Sequence, residues 1–492
     1  MFRCSPALCV TLALVPSCFS DNPVGALDTD SGSSSSTTLP VDPTNEPTST
    51  PGSTGPQPGT TTLPESSSSS SGDSSSSSTD TTGEFLGCEG ENCAVDILVV
   101  VDNSGTMALE QAQIGRAMAG LEAGLRERQL DVQVMFTTVD NGNPFCTPFK
   151  AEGYTPAMGS PISTSCTERL DDFSGLGAVP VMVPEACTTA CPIEAAPQDD
   201  PFVAFYEGSD NVPNVTPTDI DGDGVDDSPV AMTMACLAPQ GINGCGYESP
   251  LEAMLQTLAP TAPWNEGPRP FLRPDATLAV VVVTDEADCS LSDVSAMENQ
   301  SFYETNPASG MPAASSAICW NAGVDCSGPD LDGEYDCSPA PAGPLHPVER
   351  YTGRLIDELR EIEGKNIVML GIVGVPSVTA HAADSPFEAE AGGVADLVYR
   401  DWENADILPS ELLEGVTAAD KQFAFGVGPG CTRTEGGEAQ AVPPSRLQAV
   451  CESLDEGSDR TDLRCCLESI CDDDYSDATR CLLGLLDNLQ DG

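Results

Sequence analysis

Four short, uninterrupted apolar runs punctuate the chain: Val95 to Val101, Val132 to Thr138, Ala276 to Thr284 and Asn366 to Val373. Runs of this length, without the alternation of a half-exposed strand, predict strands buried on both faces. Between them, apolar residues recur at helical spacing. Ala108 to Gln129 places Ile114, Met118, Leu121 and Leu125 on one stripe, and Glu248 to Leu258 and Pro347 to Glu363 read the same way. Strand, helix and strand in succession predict an α/β fold with a doubly wound, mostly parallel, Rossmann-like sheet.

Two stretches break the alternation, at about residues 140–244 and 289–345, both rich in Pro, Gly and Cys and poor in periodicity. They read as insertions held to the sheet by disulfides. The main domain is expected over residues 87–430. Beyond it, residues 431–492 hold six cysteines and two amphipathic segments, Ser445 to Leu454 and Ala478 to Leu489, which predict a small, disulfide-stapled helical lobe.

Ahead of the domain, residues 21–86 are Ser, Thr, Pro and Gly with scattered acids and almost nothing to bury, the composition of a disordered stalk. Residues 1–20 combine Arg3, an apolar stretch from Ala7 to Val15 and then Pro16-Ser17-Cys18, which reads as an export signal too short to span a bilayer as a mature helix. The run ending in Cys18 resembles a bacterial lipobox, in which that cysteine is lipidated, although Pro16 departs from the usual pattern. Cleavage after Ser20 would instead release a secreted protein, because no later apolar stretch is long enough to anchor it. The expected location is the cell surface or outer membrane, with membrane contact only through the lipid.

Charge narrows the partners. The chain carries 77 acidic against 19 basic residues, a formal net charge of -58, which repels a phosphate backbone and excludes nucleic acid as a partner. Of 21 cysteines, three lie in the signal, leaving an even eighteen suited to disulfides in an oxidising compartment; the pairing is not set by spacing. With only His346 and His381 and no pair of C-x-x-C knuckles, zinc is the weaker use of that sulfur.

At the end of the first predicted strand stands Asp102-Asn103-Ser104-Gly105-Thr106-Met107, directly before the first helix. In an open parallel sheet that junction is where ligands bind. A carboxylate and two hydroxyls at alternate positions of a tight turn can face one hard cation, although Asp and Ser also open helices as ordinary caps.

The segment Val95 to Met107 resembles the D-x-S-x-S signature of von Willebrand factor type A domains, with Thr106 in place of the second serine. In that family the metal-ion-dependent adhesion site binds magnesium, calcium or manganese and engages an acidic residue of a protein partner. The resemblance makes Asp102, Ser104 and Thr106 the first-loop ligands and Asp285, after the run Val280 to Thr284, the later carboxylate. Where the family has a Gly-Gly-Thr turn, this chain has Gly244-Cys245-Gly246-Tyr247-Glu248-Ser249, so Glu248 takes the threonine's place. An extra carboxylate would tighten cation binding and weaken the pull on a partner's carboxylate. Together with Thr284 to Ser290 and Ser469 to Asp472, the plan resembles exported, often lipidated, von Willebrand A proteins of environmental bacteria.

A second acidic string, Asp219 to Asp227, sets Asp219, Asp221, Asp223, the Val225 carbonyl and Asp227 at calcium-loop positions with Gly224 at the turn. Val230 replaces the bidentate acid of an EF-hand, and the string looks more like the calcium loops of thrombospondin type 3 repeats. Asp330 to Asp336 echoes the spacing poorly and reads as a turn.

The expected function is a cation-dependent surface module for adhesion or protein binding, not an enzyme; the oligomeric state is not readable. The sequence admits two other readings. Asp102 to Thr106 also resembles the nucleophile loop of haloacid dehalogenase-like phosphotransferases, but none of the three lysines, Lys150, Lys365 and Lys421, precedes the acid pair that chemistry needs. The other is a structural or calcium-buffering surface protein whose cations only rigidify the head.

Overall fold

The computed structural model describes residues 94–146, 154–173, 186–187, 191–435, 437–457 and 462–490. The export signal, Cys18 and the stalk lie outside the described residues. Each of the four apolar runs is a strand of one seven-stranded sheet: β1 Ala94–Val101, β2 Asp131–Thr138, β5 Thr277–Val283 and β6 Ile367–Val373. The hairpin β3 Val203–Tyr206 and β4 Ser209–Asp210 borders β2, and β7 Cys465–Ser469 borders β6. The order is β7-β6-β5-β1-β2-β3-β4, parallel from β7 to β2, with β3 and β4 added antiparallel.

Both faces of the sheet are covered, which is why the strands are apolar at every position. Ile97, Val99 and Val101 of β1 point to one side. There Ile114, Met118, Leu121 and Leu125 of α1 (Ala108–Glu127) pack beside Val230, Met234 and Leu237 of α2 (Pro229–Leu237). Leu98 and Val100 point to the other side, against Leu251 and Met254 of α3 (Pro250–Thr257) and Tyr351, Leu355 and Leu359 of α4. α4 is an α-helical Glu349–Thr352 that continues as a π-wound Gly353–Ile362.

The last sixty residues correct the expectation of a separate helical lobe. β7 pairs in parallel with β6, Met369 opposite Cys465 through Val373 opposite Ser469. The flanking helices α5 (Ser445–Glu452) and α6 (Ser476–Gln490) cover opposite faces of the sheet, with Val450 in one core and Leu482, Leu485 and Leu486 in the other. The strand Cys-Cys-Leu-Glu-Ser has no β-branched run to announce it, so the tail is part of the sheet without looking like one.

Every cysteine among the described residues is paired, in eight disulfides. Cys146–Cys245 joins the two ends of the first insertion, and Cys191–Cys236 fixes its interior to α2. Cys289–Cys319 and Cys326–Cys337 brace the second, while Cys466–Cys481 ties β7 to α6. The first insertion is also more regular than its sequence suggests, since it supplies β3, β4 and α2.

At the N-terminal end of β1, away from the strand tips that face the first loop, Asp96 is fully buried. It accepts hydrogen bonds from the Arg273 amide and Nε, both at 2.7 Å, and lies 4.0 Å from the buried Lys365 ammonium. Lys365 also donates to the carbonyls of Arg273 and Ala276. Removing the carboxylate leaves the buried Lys365 without its ion-pair partner and Arg273 with only the more exposed Asp131, 2.9 Å away. Asp96→Ala is therefore expected to lower unfolding free energy by about 3–5 kcal/mol, measured by denaturant titration, while leaving cation affinity at the other end unchanged.

Candidate metal centre

The chain passes from β1 to β2 and the hairpin on one side, then returns to β5 on the other side of β1. The loops after β1 and β5 consequently diverge at their C-terminal tips and leave a crevice, the usual ligand position in an open α/β sheet. Asp102 opens one loop and Thr284-Asp285-Glu286 the other.

Asp102 is fully buried and its orientation is set from two sides. Oδ1 accepts the Ser104 amide at 2.8 Å, and Oδ2 accepts the Thr284 hydroxyl at 2.5 Å. The Ser104 and Thr106 hydroxyls are 3.3 Å apart. The Asp102 amide donates to Val283 at 2.8 Å, and the buried Gln111 side chain of α1 donates to the carbonyls of Asp102 and Gly241 while accepting from the Gln240 and Gly241 amides. Gln111 thus pins the first loop to the end of the first insertion. Gly244 donates to the Asn103 carbonyl at 2.7 Å, and a Cβ there would overlap Asn103, so only glycine permits the approach that brings Glu248 in. The Cys289 amide donates to the Glu248 carbonyl at 2.6 Å, which joins this turn to the loop after β5.

The structure brings Asp102, Ser104, Thr106, Glu248 and Asp285, the set that the resemblance implied, to one crevice. It adds two carboxylates the sequence reading missed, Glu110 in the first turn of α1 and Glu286 next to Asp285. Glu110 Oε2, Glu248 Oε1 and Asp285 Oδ1 are buried and have no hydrogen-bond partner among the described residues. Buried polar atoms rarely stay in that state, because each costs on the order of 1–3 kcal/mol, more when charged.

The electrostatics are one-sided. Burial pushes Asp102 up to about 6, with the Asp140 charge adding to it and bonds from Thr284 and Ser104 opposing. Burial also pushes Glu110 to about 7 and Glu286 to about 8; the Asp102 charge raises both, while Arg433 lowers the first and Lys421 the second. Glu248 and Asp285 rise well above the carboxylate range, through burial first and then through Asp102 and Glu286. Divalent charge at the crevice would reverse every one of these shifts.

The loop at 219–227 is built differently. Asp219, Asp221 and Asp227 have carboxylate oxygens within 4.8 Å of one another, among the described residues the one set of three acidic, His or Cys ligand atoms so close; these three aspartates could hold a metal ion. Among the described residues the crevice carboxylates form no such set. Asp219 accepts the Gly222 and Gly224 amides at 2.7 and 3.0 Å, and Asp227 accepts the Ile220 amide at 2.7 Å. Gly222 and Gly224 have φ of 86° and 89°, the left-handed backbone that glycine accepts without strain. Asp223 lies outside the triad, and its side chain accepts the exposed Val225 amide instead. The loop runs into α2, capped by Ser228. Asp330 holds a hairpin turn, accepting the Asp332 and Glu334 amides.

Comparison with protein-family models, with curated proteins and with solved structures finds no match.

The carboxylate shifts predict an unusual pH dependence. An acid whose pKa is higher folded than unfolded binds more protons in the native state, so its ionisation destabilises the fold. With cations chelated, unfolding free energy should fall as pH rises from about 4, where these acids ionise in the unfolded chain, through the 6 to 8 at which Asp102, Glu110 and Glu286 ionise in the fold. Excess calcium should flatten or reverse that slope in thermal melts.

Proposed function

We propose that the chain is an exported, disulfide-braced von Willebrand A-like domain that holds magnesium or calcium in the β1/β5 crevice and serves as a cation-dependent binding module for a protein partner. The observation that carries this reading is the set of buried, unpartnered carboxylate oxygens gathered around the Ser104 and Thr106 hydroxyls at the sheet's switch point. Among the described residues, Lys421 and Arg433 oppose five acids there. The D-x-S-x-T loop and the Asp285 position support the family reading. The acidic triad at 219–227 is a second cation site, with calcium the best fit to an all-oxygen loop, and it would stiffen the approach to α2.

Export accords with the eight disulfides, which suit an oxidising compartment, and among the described residues no helix is long and apolar enough to cross a membrane. Lipidation at Cys18 and a partner carboxylate belong to this proposal. A purely structural cation is the second reading, favoured by Glu248, whose charge brings the bound site nearer to neutrality.

Titration calorimetry of the full chain with calcium and with magnesium tests the assignment. Two calcium-binding events are expected, the loop near the roughly 0.1–1 mM affinity of extracellular modules. Asp102→Ala should remove one event and Asp219→Ala the other. Wild-type binding in Asp102→Ala would refute the crevice assignment.

A further inference from the structure

The crevice has a roof. Residues 402–435 and 437–442 fold over the strand tips through two short helices, Pro409–Glu414 and Ala418–Phe425, and the strands Cys431–Arg433 and Ala439–Ala441. Trp402, Lys421, Phe425, Gln440, Ala441 and Val442 close one side of a cavity whose other wall is Thr106, Asp285 and Glu286. The cavity, partly open to solvent, has room for about a single water or bare cation.

The roof is fastened at the site itself. The Val442 amide donates to the Asp285 carbonyl at 2.9 Å, the Gly430 amide donates to Ala441 at 2.9 Å, and Cys431–Cys471 ties the hairpin to the loop after β7. Its underside is ordered by charge: the Lys421 ammonium lies 5.3 Å from both the Trp402 and Phe425 ring centroids and 2.5 Å from the buried Glu411 carboxylate. Lys421 also acts electrostatically on Glu286, the carboxylate on the opposite wall. Asp285 Oδ1 is left without a partner beneath this roof.

We propose that the crevice is closed in cis: Glu286 supplies, from within the chain, the carboxylate ligand that an adhesion site would take from its partner, and the two helices and hairpin cover the cation with Trp402 and Lys421 above it. This rests on the cation reading of the crevice. An external carboxylate reaches the metal only after the roof lifts, so the partner meets the outer surface of the roof first.

Terbium, a hard cation that occupies oxygen-lined calcium sites and is excited by nearby tryptophan, tests this on the full chain. Terbium emission that is lost in Trp402→Phe and kept in Asp219→Ala locates the ion in the crevice. Luminescence lifetimes in H₂O and D₂O then count the waters on it. Closure predicts about one bound water or none, rising by about one or two in Glu286→Ala and about one in Glu286→Gln, with millimolar acetate leaving the count unchanged in wild type. Two or more waters in wild type, unaltered by the Glu286 variants and displaced by acetate, would overturn closure while keeping the cation site. Absence of Trp402-dependent emission, with the loop at 219–227 still binding, would overturn the cation reading and closure together.

Discussion

Carboxylates concentrated in a buried crevice are the constraint on which this structure turns. Asp102, Glu110, Glu248, Asp285 and Glu286 share the C-terminal mouth of a parallel sheet, and burial alone pushes each toward protonation. A fold tolerates such a group if it is neutralised by protons, by fixed cations or by a bound ion. Protons can neutralise Glu248, Asp285 and Glu286 near neutrality but release Asp102 at about 6, and among the described residues Lys421 and Arg433 oppose five acids. A divalent cation fits both the charge and the oxygen-only ligand set.

Rigidity around the crevice follows from that demand. Gln111 clamps the first loop to residues 240–241, Gly244 lets the Glu248 turn approach Asn103, and Cys146–Cys245 closes the insertion that brings it there. The contrast with the other end of the sheet is instructive. Asp96 is as deeply buried as Asp102, yet it faces Arg273 and Lys365 at close range and has its hydrogen bonds filled. Burial raises both to about 6, but one end carries its own close countercharge and the other does not.

Much of this was legible in the sequence because strand and loop chemistry are local. The valine-rich runs could bury only as two-faced strands, and Asp102, Ser104 and Thr106 alternate along a single turn. Asp285 and Glu248 came only through the resemblance, as the counterparts of a later carboxylate and of a threonine turn. The Asp219 loop was found by spacing, although Asp223 lies outside the triad and accepts the Val225 amide. Glu110 and Glu286 were missed because each reads as an ordinary acid, one at a helix start and one in a surface-like T-D-E string; only packing makes them face Asp102. β7 was missed because its two cysteines masked a strand, and the roof because its helices are short and carry no periodic signal.

The most direct test of the central claim is anomalous diffraction from crystals of the protein grown with manganese, which scatters anomalously and accepts the same oxygen ligands as magnesium. The account predicts a peak in the β1/β5 crevice, within bonding distance of Asp102 and the Ser104 and Thr106 hydroxyls, with Glu286 completing the shell. A peak confined to the Asp219 loop, with the crevice carboxylates hydrogen-bonded to one another as acids, would contradict it.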